Sequence, residues 1–141
     1  MDNYYMNIAY KEAIKSFNKN EIPVGCVIVY KNKIIAKGSN LKEKKHNVLK
    51  HAELVAIDRA CAKLKFWRLD ECVIYTTLEP CMMCTGAIVE SRIKTVFYGT
   101  KSKSKQMFDV NKLGGVKFIC LNDDKCSKIL SDFFKNKRKN K

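Results

Sequence analysis

Two short stretches of the chain carry residues that bind metals and move protons. They read HAE at 51–53 and PCMMC at 80–84. Zinc binds cysteine thiolates and histidine, and a zinc with three protein ligands keeps its fourth position for water, as catalytic sites do. Zinc makes hydroxide accessible from that water near neutral pH, and a nearby carboxylate can transfer the protons. The stretches therefore predict a catalytic Zn²⁺ held by His51, Cys81 and Cys84, with Glu53 as general acid and base.

Each stretch opens a predicted helix. Apolar residues at helical spacing predict a helix that starts near His51, and Pro80 favours the first turn of a helix that runs through Cys84 to Val89. Cysteines three residues apart in a first turn share one face of the helix. The free N–H groups of that turn favour their thiolate forms. The placement of Cys81 and Cys84 thus agrees with metal binding.

Either stretch alone has other interpretations. A lone Cys-x-x-Cys is often a structural pair or a redox motif, and a structural zinc would need a fourth ligand. The other five cysteines lie in predicted strands, a helix and a turn without ligand spacing, and we expect them to be core or near-surface thiols: Cys26, Cys61, Cys72, Cys120 and Cys126. His46 is predicted to be an ordinary loop residue, with contact to a substrate at the pocket rim as the alternative.

The elements that must position these residues follow from apolar periodicity. A strand, a helix and a strand in succession imply a parallel crossover. We therefore predict an α/β fold in which a mixed five-stranded sheet lies between helices, as a single domain over 1–135 with a basic tail at 136–141 that does not pack. The predicted helices are 3–18, one starting near residue 51, 80–89 and 123–135, and the strands are 24–30, 34–38, 72–78, 94–98 and 116–120.

Charge and cysteine usage limit the partners and the compartment. The chain has 28 Lys and Arg against 14 Asp and Glu, a formal net charge of +14. This favours a polyanionic partner, although a biased genome explains a lysine-rich composition equally well. The N-terminus has no secretory or anchor pattern, and no stretch approaches membrane-spanning length. Seven cysteines without an export signal predict a reducing, cytoplasmic location.

Beyond the two stretches, most of the chain resembles the tRNA-specific adenosine deaminases. The signature HxE with PCxxC is that of zinc deaminases. The resemblance implies a three-layer α/β/α cytidine-deaminase-like fold, one Zn²⁺ per subunit and a homodimer. It also implies conversion of adenosine to inosine at the wobble position of a tRNA anticodon stem-loop. The further segments that carry it are EIPVGCV at 21–27, GSN at 38–40, WRL at 67–69, TLEPCMMC at 77–84, SRI at 91–93 and LSDFF at 130–134.

The same resemblance implies several substrate contacts. Asn40 would hydrogen-bond the flipped base, helped by the backbone of Ala52, and an asparagine offers both a donor and an acceptor to a purine. Without the resemblance, a turn residue that closes the hairpin is an equal interpretation of Asn40. Phe133 and Phe134 would stack in the anticodon loop, although such pairs are often core, and we expect at least one to be buried.

The segment 101–106 departs from the family. Relatives carry a glycine-containing loop with an acidic residue or asparagine there, whereas this chain has Ser102 between lysines. A serine hydroxyl still suits a ribose 2′-OH, so Ser102 is predicted to contact the sugar. Lys50, directly before His51, is a second departure. Both changes add positive charge at the expected mouth of the site, which favours phosphate contacts.

Two other functions remain open from the sequence. A deaminase of free cytosine, guanine or nucleotides shares the zinc signature and needs no broad positive surface. A non-catalytic RNA-binding subunit would keep zinc for structure, but it would have no need of Glu53.

Overall fold

The computed structural model of the protein describes residues 1–103 and 115–139. Within these residues the elements follow the predicted order. The helices are α1 (Asp2–Asn18), α2 (Ala52–Leu64), α3 (Met82–Glu90) and α4 (Asp124–Lys139), and the strands are β1 (Gly25–Tyr30), β2 (Lys33–Ser39), β3 (Cys72–Leu78), β4 (Thr95–Thr100) and β5 (Lys117–Cys120).

The five strands form one mixed sheet in the order β2-β1-β3-β4-β5. β1 pairs antiparallel with both β2 and β3, while β3, β4 and β5 run parallel. The predicted mixed sheet and the predicted crossover of β3, α3 and β4 are confirmed. Because β1 and β3 run in opposite directions, the start of β1 and the end of β3 meet at one edge of the molecule.

The sheet separates two hydrophobic cores, which makes the fold a three-layer α/β/α arrangement. Cys26 and Ile28 of β1 pack with the alanines of α2 and with Ile88 of α3. Val27 and Val29 point to the other face and pack with α1 and with Cys126 of α4. This alternation is expected of a strand covered on both sides. The helices that carry the predicted metal ligands, α2 and α3, therefore share one face.

Gly38 allows α2 to approach β2 closely. A Cβ atom at this position would lie 2.2 Å from the carbonyl oxygen of Ala52 and 2.8 Å from the backbone nitrogen of Ala56. Only glycine permits that approach. The first turn of α2, which begins directly after His51, is thereby fixed against the sheet.

The structure corrects two predicted helix ends. α3 begins at Met82, so Pro80 precedes the helix instead of lying in its first turn. α4 continues to Lys139, past the predicted end at residue 135, so the predicted boundary of the basic tail falls inside a helix. Lysine and arginine are good helix formers and are favourable near a helix C-terminus. No helix in the described ranges is long and apolar enough to cross a membrane.

Candidate active site

The predicted metal ligands lie at two helix N-termini that face each other. His51 is the N-cap of α2 and Cys81 is the N-cap of α3, both with extended backbones. N-cap side chains usually accept a hydrogen bond from the helix, which favours Ser, Thr, Asp or Asn. Neither His51 nor Cys81 makes such a bond. Their side chains are therefore available to a metal, and Cys84 follows one turn later in α3.

The three side chains form a compact group. Nδ1 of His51 lies 3.6 Å from Sγ of Cys81 and 3.6 Å from Sγ of Cys84. All three ligand atoms lie within 4.8 Å of one another. Tetrahedral zinc with its usual bond lengths to sulfur and imidazole nitrogen separates such atoms by about 3.6 Å. The donor set and its spacing thus fit one zinc ion.

The group contains one thiol that ionises readily. Hydrogen bonds from Cys84 and from His51 lower the pKa of Cys81 well below its usual range. Sharing a proton with Cys81, together with burial, raises the pKa of Cys84. The contact with Cys81 also raises the pKa of His51. Cys81 is therefore the thiolate of the pair, which prepares the group for a cation.

Glu53 lies in the first turn of α2, directly beside this group. It is buried, with 4% of its surface exposed, and it is in hydrogen-bonding contact with the thiol of Cys84. Burial raises the pKa of Glu53 to about 7. A carboxyl group with a pKa near neutral pH both gives and takes protons efficiently, which is what a general acid and base requires.

No fourth ligand joins the group among the residues that the structure describes. All seven cysteines are free, and the five outside the group are buried or half-buried, as predicted. Burial raises the pKa of Cys26, which packs in the core as a neutral thiol. His46 is an exposed loop residue, as predicted. Three protein ligands leave a tetrahedral position for water, which favours a catalytic over a structural zinc.

Three of the predicted substrate residues meet in one cavity of about 340 Å³. Asn40, Phe133 and Phe134 line it, together with Lys137 and Arg138 from the last turns of α4. The two basic residues belong to the segment 136–141, which was predicted to be an unpacked tail, so the sequence did not predict that they line a cavity. The one feature of the sequence that could have indicated this is that the residues after Phe134 are good helix formers, so α4 could continue through them.

The carboxamide of Asn40 has a structural task of its own. Its Nδ2 donates to the carbonyl oxygen of Ile22 at 3.2 Å, and its Oδ1 accepts from the backbone N–H of Lys42 at 3.1 Å. These bonds use one donor and one acceptor of a group that has two of each. Asn40 is therefore a turn residue, as one interpretation of the sequence predicted. Its carboxamide still has one donor and one acceptor that a base could use.

The aromatic pair divides as expected. Phe133 is 4% exposed and packs edge-on against Phe17, whereas Phe134 is 44% exposed. Nζ of Lys137 lies 5.6 Å from the centre of the Phe133 ring. This contact links the basic residues at the end of α4 to the aromatic pair one turn earlier. Phe134 is thus the member of the pair with a face open to a ligand.

The remaining predicted contacts lie near the metal group. Ala52 is buried at the start of α2, between His51 and Glu53. Ser102 follows β4, and its backbone N–H donates to Oε1 of Glu79 at 3.0 Å. Glu79 follows β3 and precedes the PCMMC stretch, so Ser102 lies at the same edge of the sheet. The rest of the atypical segment, from residue 104 on, is outside the described residues.

Comparisons with known proteins agree with this geometry. Residues 1–138 match the family model of the MafB19-like deaminases. The chain is 41% identical to the tRNA-specific adenosine deaminase of Buchnera aphidicola subsp. Schizaphis graminum (strain Sg), with 97% of this chain and 96% of that protein covered.

Two solved structures are also similar. One, described as a study of A-to-I editing by tRNA:A34 deaminases at the wobble position of transfer RNA, is 29% identical with a TM-score of 0.78. It covers 84% of this chain and 97% of its own. The other, a guanine deaminase from Bacillus subtilis, is 40% identical with a TM-score of 0.67 and covers 70% of this chain and 64% of its own.

Proposed function

Because the chain belongs to the tRNA-specific adenosine deaminases, we propose that it converts adenosine to inosine at the wobble position of a tRNA anticodon by zinc-dependent hydrolysis. The observation that carries this function is the compact group of His51, Cys81 and Cys84 with the buried carboxyl group of Glu53 beside it.

His51, Cys81 and Cys84 would hold the metal, one ion per subunit. A bound zinc ion supplies Lewis acidity, which makes hydroxide accessible from water near neutral pH. The N-termini of α2 and α3 position the three ligands before any metal arrives. Their positive ends also stabilise the thiolate of Cys81.

Glu53 moves the protons of the reaction. Its carboxylate accepts the proton that the attacking water loses and passes it to the ring nitrogen N1 of adenine. It then assists the protonation of the amino group, which leaves C6 as ammonia when the C6–N6 bond breaks. Burial raises the pKa of Glu53 above its usual range, which favours a carboxyl group that takes and returns the proton.

The cavity lined by Asn40, Phe134 and the end of α4 receives nucleotides of the anticodon loop next to the target base. The target base itself extends past Asn40 to the metal group, whose residues do not line this cavity. Asn40 and the backbone of Ala52 orient the base, and Phe134 offers a stacking face. Phe133 supports that face from the core. Lys137 and Arg138 contact phosphates, and Ser102 contacts the ribose hydroxyl.

The first test is an activity assay with alternative substrates. Purified protein is incubated with tRNA, cytosine, guanine and deoxycytidylate, ammonia is measured, and the treated tRNA is sequenced for inosine at the wobble position. Inosine at that position supports the proposal, whereas activity on the small molecules alone contradicts it. Similarity to a guanine deaminase makes guanine the most pertinent competitor.

The second test separates an enzyme from a zinc-containing RNA-binding subunit. Glu53→Ala is expected to retain zinc, since Glu53 is not a ligand, and to lose turnover. Metal content and inosine formation are measured on the same sample. Unchanged turnover in this variant contradicts the proposed proton transfer, and the parent protein without any turnover favours the RNA-binding subunit.

We further propose that the protein acts as a cytoplasmic homodimer. Three large apolar side chains that are neighbours of metal ligands in the sequence are exposed: Val48 (64%), Leu49 (56%) and Met82 (61%). Exposed large apolar residues are a feature of protein interfaces when they form a contiguous patch. A second copy of the chain over this surface would shield the site from water. Sedimentation equilibrium measures the molecular mass in solution, and the mass of a single chain would contradict the homodimer.

A further inference from the structure

Glu21 is a buried carboxylate outside the metal group. Only 1% of its surface is exposed. Its Oε1 accepts from the backbone N–H of Glu43 at 2.9 Å, and its Oε2 accepts from the backbone N–H of Lys44 at 2.7 Å. Burial of a carboxylate is costly unless it is well hydrogen-bonded, and both of its oxygens have backbone partners here.

Both partners belong to the loop 41–50, which joins β2 to the metal group. The loop is closed at its base by a hydrogen bond from Leu41 N–H to the carbonyl oxygen of Lys50, at 2.9 Å. It is flanked by Asn40 on one side and by His51 on the other. A carboxylate that fixes this loop therefore acts on the base-contacting residue and on the approach to the first metal ligand.

Asn40 is fixed by the same segment. Ser16 Oγ donates to the carbonyl oxygen of Asn40 at 3.0 Å. The side chain of Asn40 bonds Ile22, the neighbour of Glu21, and Lys42, the neighbour of Glu43. Glu21 and Asn40 thus tie together the same two stretches of backbone, 21–22 and 42–44.

We propose that Glu21 is a positioning residue. It holds the loop 41–50 against the end of α1 and so keeps the carboxamide of Asn40 directed at the substrate cavity. Glu21 also lines that cavity, but both of its carboxylate oxygens accept hydrogen bonds from the loop. This inference rests on the proposed function, in which Asn40 contacts the base.

The first experiment compares Glu21→Gln with a matched control, Glu12→Gln. Glutamine keeps the size of the side chain but offers one acceptor oxygen, so one loop N–H loses its partner. Glu12 is also a buried carboxylate of this region, 5% exposed, but it pairs with Lys15 at 2.7 Å and not with the loop.

Loss of one charge-assisted bond predicts a fall of kcat/KM for tRNA of about 10- to 100-fold in Glu21→Gln, chiefly through KM, at unchanged zinc content. Glu12→Gln is expected to stay within about threefold of the parent. If Glu21 were merely structural, the melting temperature would fall while kcat/KM of the folded, zinc-loaded protein stayed at the parent value. That result overturns the proposal, as does an equal loss in both variants.

The second experiment tests whether Glu21 acts through Asn40. In a double-mutant cycle, Glu21→Gln combined with Asn40→Ala is expected to be scarcely worse than Asn40→Ala alone, because the residue that Glu21 positions is already gone. Fully additive losses would show that Glu21 acts elsewhere.

Amide hydrogen exchange supplies a reading that does not depend on turnover. Glu21→Gln is expected to accelerate exchange of the Glu43 and Lys44 amides at least tenfold, and Glu12→Gln is not. Unchanged exchange contradicts the role of Glu21 even in an active enzyme. Accelerated exchange in a protein that does not deaminate tRNA supports the anchoring of the loop and refutes the proposed function instead.

Discussion

Gly38→Ala should damage the active site from a distance, because Gly38 sets the separation between β2 and α2. The added Cβ would lie 2.2 Å from the carbonyl oxygen of Ala52 and 2.8 Å from the nitrogen of Ala56, both backbone atoms of α2. Neither atom can rotate away, so the start of α2 must retreat from the sheet by roughly 1 Å to restore ordinary contact.

That retreat has two measurable costs. Overpacking of a core typically destabilises a protein by about 1–3 kcal/mol, which for a chain of this size lowers the melting temperature by roughly 4–12 °C. The displaced turn carries His51 and Glu53, and a misplacement of about 1 Å in catalytic groups lowers the rate up to about 100-fold. We therefore expect Gly38→Ala to melt earlier, to release zinc more readily and to lose most of its turnover.

Gly86→Ala is the matched control. Gly86 lies inside α3, the other ligand-bearing helix, and a Cβ there would have no described atom within 4 Å. Alanine is expected to stabilise that helix by about 0.5–1 kcal/mol. Thermal unfolding, metal analysis and inosine formation are measured for both variants. A Gly38→Ala protein as stable and active as the parent would refute the close packing of α2 on β2 as the feature that positions His51.

Two further variants test the metal group and the end of α4. Cys84→Ser should lose zinc to a chelator more readily than the parent, because serine replaces a thiolate by a poor zinc ligand. A chelator titration followed by metal analysis measures this loss. Equal zinc retention in the two proteins would show that Cys84 is not a ligand. Lys137→Ala should weaken tRNA binding and reduce the slope of the logarithm of the binding constant against the logarithm of salt concentration by about 1. Lys63→Ala on α2 is the control. An unchanged slope in Lys137→Ala would contradict a phosphate contact.

The helices, the strands and the metal group were predictable because each is encoded locally. Apolar periodicity identified every described element, and the spacing of Cys81 and Cys84 identified their shared helix face. The two helix ends that were predicted wrongly depend on contacts with residues outside the local sequence. Lys137 packs over the ring of Phe133 in the structure, whereas in the sequence it is one of many lysines.

The cavity and the role of Glu21 were beyond the sequence for a related reason. The cavity joins residues near 40 to residues near 137, and no local pattern relates such distant segments. From the sequence, Glu21 is predicted only to be a polar residue that follows the first helix. Its burial and its bonds to the N–H groups of Glu43 and Lys44 appear only when the loop 41–50 folds back over it.

The metal group alone does not choose a substrate. The proposed roles of His51, Cys81, Cys84 and Glu53 would suit hydrolytic attack on any amino-substituted ring, and a guanine deaminase is among the similar structures. Selection of an anticodon must therefore come from residues outside the group, and the cavity between the loop 41–50 and the last turns of α4 is the candidate. A free base has no phosphates for Lys137 and Arg138 to contact, so the loss of these two charges should weaken turnover of tRNA while leaving any turnover of guanine unchanged. An equal effect on both substrates would mean that the basic end of α4 serves the fold and not the choice of substrate.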